Sequence, residues 1–215
     1  MPRLDLHTFF GLDLGRRQDP SALAILERRH DYTGRRDPVT YELELKLRFV
    51  LRHVETFPLG LPYFEIVNRI RKLLQIADPL KTLVVDASGV GAPIVEAFRA
   101  ARLGAGLIPI TITGSGQPHP DPHGGYLVPR RDLISNLRMM MERGLFRIPP
   151  GIHQKDALVK ELIHFKDHQG SHHDDLAISV TLAAWQATRG IAPLLQSQRP
   201  PKMMELAEGV EPPTL

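Results

Sequence analysis

FFGLDLG, residues 9–15, is an apolar run that stops at a carboxylate and a glycine. An apolar segment ending on Asp13 puts that acid at the rim of a buried sheet, beside a cleft. Two other stretches share the design: LVVDASGVG at 83–91, whose apolar run ends on Asp86, and HHDDLAISVTLAAW at 172–185, whose apolar run begins after Asp174 and Asp175. If the three segments converge, their acids form an oxygen-rich anionic pocket. Close carboxylates repel and take up protons unless divalent cations fill the space between them. The chemistry that suits such a pocket is metal-assisted phosphodiester hydrolysis.

Working outward from Asp13, residues 7–14 read as a buried strand followed by the polar turn GRRQDP. SALAILERR at 21–29 reads as a second strand, and DYTGRRDP at 31–38 as a turn. TYELELKLRFVLR at 40–52 alternates apolar and charged residues at period two, the pattern of a strand with one wet face. These three strands form a meander. The period then changes: over 61–77, Phe64, Val67, Ile70, Leu73 and Leu74 fall on one helical face. Residues 81–86 are a short apolar strand of the kind covered on both sides. A helix over 92–103 and another apolar strand over 106–113 follow.

The remainder is richer in helix. SGQPHPDPHGG at 115–125 has no periodicity and reads as a loop. RRDLISNLRMMMERG, after Pro129, reads as an amphipathic helix closed by Gly144, with the three methionines at 139–141 as flexible core filling. A short edge strand is expected at 145–148, and helices over 154–166 and 174–188. Residues 1–190 therefore read as one domain. PLLQSQRPPKMMELAEGVEPPTL, within the segment 191–215, has few large apolar residues in any register and reads as a mobile tail.

Composition bounds the rest. At 215 residues the chain is long enough to bury roughly 70% of its extended surface without staples. With no cysteine, disulfides, thiolate zinc sites and a cysteine nucleophile are excluded, and a reducing, cytoplasmic setting fits. The N-terminus has no apolar run of signal-peptide length, and no stretch approaches the ~18 apolar residues of a membrane span. The net charge of +3 permits nucleic-acid binding without requiring it. One tryptophan and four tyrosines make a poor stacking platform for single strands, so a duplex backbone is the better expectation.

The order of elements, three strands then helix, strand, helix, strand and helices, resembles the ribonuclease H-like fold. That fold is an α/β arrangement in which a mixed five-stranded sheet is flanked by helices. It would make the first and fourth strands neighbours, and bring the last helix's N-terminus to the same edge. Four pieces in order carry a narrower resemblance: FFGLDLGRRQDPSALAILE, VVDASGVGAPIVEAF, VPRRDLISNLRMMMERGLFRIP and HHDDLAISVTLAAW. Together, over about residues 8–188, the chain resembles the nuclease domain of the large terminase subunits, the DNA-packaging enzymes of tailed phages.

The resemblance implies a metal-dependent endonuclease of double-stranded DNA, working with two Mg²⁺ or Mn²⁺ ions. It implies Asp13 as the first catalytic acid and metal ligand, Asp86 as the second, and Asp174 and Asp175 as the C-terminal acid motif. Asp19 matches an acid often present near the family's metals. Asp13, on the central strand, is the expected bridging ligand. Adjacent helix residues point about 100° apart, so one of Asp174 and Asp175 is expected to bind and the other to support it. Arg16, Arg17, Arg130 and Arg131 are candidate phosphate contacts. The large terminases also carry an ATPase, and this sequence has no G-x-x-x-x-G-K-[ST] loop. Translocation is therefore not expected of this chain. Its implied partners are DNA and a separate motor, portal or small terminase subunit, in the host cytoplasm.

Each feature also has a plainer reading. Acids at a helix start commonly cap it. Asp86 has the position of a strand-end residue bonding a turn, and Asp between glycines often only makes a turn. Ser88, Gly89 and Gly91 are a tight turn whose amides suit a phosphate or merely close the chain. His172 and His173, beside the acids, suit a proton shuttle but are more simply loop residues, as are His119 and His123. Two wider alternatives stand: a Holliday-junction resolvase of the same fold, and a nucleotide-binding domain of the actin and sugar-kinase type. The latter normally needs well over 300 residues. A non-catalytic DNA-binding or docking module is a third.

Overall fold

The computed structural model describes residues 6–15, 19–89, 91–165 and 174–191. Residues 192–215 of the expected tail, and Arg16, Arg17, His172 and His173, lie outside these residues, while Ile191 packs against the core. Among the described residues, one mixed sheet is flanked by helices on both faces.

The element order is β1 (His7–Asp13), β2 (Ala22–Arg36), β3 (Leu43–Thr56), α1 (Tyr63–Ile76), β4 (Lys81–Asp86), α2 (Gly91–Ala100), β5 (Gly106–Thr113), β6 (His119–Pro120), β7 (Tyr126–Pro129), α3 (Arg130–Glu142), β8 (Phe146–Arg147), α4 (Lys155–His164) and α5 (Asp175–Thr188). The strands lie side by side as β6-β7-β5-β4-β1-β2-β3-β8. β1 to β3 form the expected antiparallel meander. β4 lies parallel to β1, with Leu12 opposite Val85, which sets Asp13 beside Asp86.

The sheet has eight strands rather than five. β8 is the short edge strand expected at 145–148; β6 and β7 were not expected, and the two residues of β6 leave no period to read. β7 follows Gly124 and Gly125, both at positive φ. A Cβ on Gly125 would run into the Pro109 carbonyl, so glycine is what lets the chain close onto β5 there. The segment 31–38 is also not a turn. β2 runs on to Arg36, with a register shift around Gly34. The reversal comes later, where Asp37 Oδ1 accepts the amides of Val39 and Thr40 at 2.8 Å each. That local side-chain bonding selects the turn over the glycine upstream.

Strand alternation divides the core into two layers. On one face of the sheet, Phe10, Leu12, Leu23, Leu83 and Val85 pack with Ile66, Val67, Ile70 and Leu74 of α1 and Phe98 of α2. Phe64, expected on that helical face, is 65% exposed. The buried stripe centres on Ile66, Val67, Ile70 and Leu74, which puts position 64 about 100° round the helix. On the opposite face, Phe9, Ala24, Leu26 and Leu51 meet Leu137 and Met140 of α3, Leu158 of α4 and Leu176, Val180 and Ala183 of α5. Met140 is the core filler of its run, while Met141 is exposed.

α5 is the helix nearest the sheet's centre, with every residue from Leu176 to Trp185 buried. Its close approach depends on Gly11. A Cβ there would run into the Ser179 carbonyl and stand 2.8 Å from the Ala183 nitrogen. Among the described residues, no helix is long and apolar enough to cross a membrane.

Candidate active site at the edge of the central strands

Phe9, Gly11 and Asp13 share the α5 face of β1, as the Phe9 packing and the Gly11–Ser179 approach require. On β4, Val84 packs against Ile178, Leu182 and Trp185 of α5, and Asp86, two residues on, lies on the same face. α5 runs back along β1 from its N-terminus. Asp175, one helical turn before Ser179, therefore lies over the end of β1, where Asp13 stands. The acids of three distant segments share one sheet edge.

The electrostatics agree with this geometry. Burial, and then the carboxylates of Asp86, Asp175 and Asp174 in that order, push the Asp13 carboxyl well above the usual carboxylate range, while Arg130 pulls the other way. Asp13 is the crowded member of the group, as its central strand dictates. Among the described residues, no three acidic or histidine side chains are already drawn together into a metal cage.

The plainer readings divide. Asp86 does bond a turn: its Oδ1 accepts the Ser88 amide at 2.8 Å, and Ser88 Oγ accepts the Ile112 amide at 2.6 Å. The Ser88–Gly89 turn thus closes back on Asp86. Asp174, in contrast, occupies the N-cap position of α5 without making a side-chain cap bond. Its Oδ2 instead accepts a hydrogen bond from Arg130 Nη2.

Arg130 was expected as a phosphate contact, and its position in the fold is different. It opens α3 directly after Pro129 and is 9% exposed, with its guanidinium 4.9 Å from the Phe165 ring centre. It serves as a built-in cation among the acids. Arg131 is exposed and donates to the Gly116 carbonyl at 2.6 Å. Asp19 is exposed in the loop after β1. Nearby, the Gly15 amide donates to Ser21 Oγ at 3.0 Å, and Tyr63 Oη donates to the Gly15 carbonyl at 2.9 Å. His119 and His123 are both exposed, but only His123 lies in a loop; His119 opens β6 and pairs with Leu127.

Sequence reasoning missed Glu161 on α4. Its Oε2 accepts the Ala177 amide of α5 at 2.9 Å. Its carboxyl is pushed up to about 7, by burial first and then by Asp175 and Asp174, against the backbone amides of Ala177 and Leu176, which pull it down. A single acid on a weakly amphipathic helix carries no signal in the sequence that it will reach a neighbour's terminus.

The residues fit a divalent cation on two counts. The donors are hard carboxylate oxygens, the preferred ligands of Mg²⁺ and Mn²⁺. Asp13 also stands where burial, and then the charges of Asp86, Asp175 and Asp174, disfavour its ionised form, a cost that a divalent cation beside it would relieve. In comparison with known proteins, no family model matches the chain and no curated protein is similar to it.

Proposed function

We propose that this chain is a divalent-metal-dependent endonuclease of double-stranded DNA with a ribonuclease H-like fold, similar to the nuclease part of the large terminase subunits. One observation carries the reading: Asp13, Asp86 and the Asp174–Asp175 pair, from three distant segments, stand at one sheet edge. The order of β5, β4, β1, β2 and β3 and the seating of α5 on β1 support the fold assignment.

Asp13 and Asp175 would hold cations directly, with Asp86 beside them; Asp174 is engaged with Arg130 and acts as support. Two Mg²⁺ or Mn²⁺ ions supply, when bound, a water acidic enough to attack and a counter-charge for the leaving 3′ oxygen. The chain's own part is orientation. Gly11 lets α5 approach until Asp175 overlies Asp13, and the Ser88 turn fixes the rotamer of Asp86 through its Oδ1. Arg130 keeps a positive charge in the cluster and draws Asp174 to itself. Exposed Arg131, on the first turn of α3, is a phosphate contact in this reading.

A plasmid-cleavage assay with Mn²⁺, Mg²⁺ or EDTA, run beside Asp86→Ala and Asp175→Ala, tests the function. The expected outcome is metal-dependent nicking and linearisation by the wild type, with a loss of about 10³-fold or more in both variants. Cleavage that persists in EDTA, or equal cleavage by the variants, would sink the reading. Preference for a four-way junction over linear duplex would redirect it to a resolvase.

A further inference from the structure

At the N-terminus of α5 the N-cap residue, Asp174, makes no side-chain cap bond. The first four amides of any helix lack partners within it, and the usual provider, the N-cap side chain, is Asp174, which bonds Arg130 instead. Glu161 supplies an acceptor from another helix, its Oε2 accepting the Ala177 amide across 2.9 Å. α4 is anchored for the task by Leu158, fully buried in the same cluster as Leu176 and Val180. Asp175 is thus fixed from both sides: Asp174 before it is tied to α3, and Ala177 after it is tied to α4.

We propose that Glu161 is a positioning residue for the metal site, holding the first turn of α5 so that Asp175 faces Asp13. This rests on the metal-site reading above. Glu161 acts through the backbone amides it accepts and is not itself a ligand. Its charge is dispensable, and its reach and acceptor oxygen are not.

The test is Mn²⁺ titration by calorimetry on the full chain without DNA, beside thermal melts, for wild type, Glu161→Gln, Glu161→Ala and Glu161→Asp. Glu161→Gln keeps an acceptor at the same reach and should bind Mn²⁺ like the wild type. Glu161→Ala removes the acceptor, and Glu161→Asp shortens it by a methylene; each should weaken Mn²⁺ binding about tenfold or more, as losses of supporting groups around a metal typically do. Glu161→Asp keeps the charge and stands in if Glu161→Ala fails to fold. Lower melting temperatures with unchanged Mn²⁺ affinity would reduce Glu161 to a structural cap and overturn the proposal. Glu161→Gln binding as weakly as Glu161→Ala would overturn it in favour of a direct ligand. A wild type that binds no Mn²⁺ would remove the metal site itself, and the proposal with it.

Discussion

The two faces of β1 are built from alternate residues of one heptapeptide, and they do opposite work. Phe10 and Leu12 enter a layer of large apolar side chains from α1 and α2. Phe9, Gly11 and Asp13 face α5: Phe9 joins a second apolar layer, Gly11 lies directly against the backbone of Ser179 and Ala183, and the last position is a carboxylate. The first face is stabilised by volume along its length, the second by volume at Phe9 and by close approach at Gly11. The difference teaches why the acid motif is tied to a glycine two residues before it. Large side chains suffice for a core, but bringing a helix terminus over a strand end requires that something be missing in between.

Substitutions on the two faces should therefore fail differently. The largest effect is expected from Gly11→Val. Its side chain would collide with the Ser179 carbonyl and the Ala183 nitrogen, both backbone atoms that cannot rotate away. α5 must move outward, so the fold, if it survives, should lose Mn²⁺ binding and cleavage together. Leu12→Ala, one residue along on the other face, should cost about 2–5 kcal/mol by leaving a cavity. Protein that remains folded at low temperature should still bind Mn²⁺. Denaturant melts beside calorimetry would separate the two, and equal loss of metal binding in both variants would erase the distinction between the faces.

The smallest effect is a pH trend confined to the α5 face. Asp13 is raised well above its ordinary value of 3.8 and Glu161 from 4.5 to about 7. The folded state thus binds these protons more tightly than the unfolded state. Their contribution is present in full at acid pH and is lost as pH rises through the folded values. In EDTA, the melting temperature should fall by a few degrees from about pH 5 to about pH 8. Saturating Mn²⁺ or the Asp13→Asn substitution should flatten that slope. A slope unchanged by either, and unchanged also in Glu161→Gln, would mean that these acids do not govern it.

Much of this was legible in the sequence because apolar runs are blunt signals. β1, β4 and β5 announce themselves as buried strands, β3 by its alternation, and Asp13, Asp86 and Asp174–Asp175 by standing where such runs stop or start. What escaped depends on contacts between residues far apart. Arg130 after a proline looks like a surface charge until the fold closes Asp174 over it. Glu161 has no mark at all before α4 and α5 meet. Phe64 looked like core because its spacing nearly fits, and the stripe is decided by which side of α1 the sheet occupies. The late turn after Arg36 was hidden because Gly34 offers a louder signal than the Asp37 side chain that makes the turn. The short strands β6 and β7 owe their existence to neighbours and not to their own two to four residues.

The most direct measurement of the central claim is Mn²⁺ titration of the wild type and of Asp13→Asn, followed by calorimetry at neutral pH. If the acids of three segments form one cation site, the wild type binds Mn²⁺ and the single change at Asp13, the position all the others crowd, abolishes the binding. Absence of binding in the wild type, or equal binding in Asp13→Asn, would contradict it.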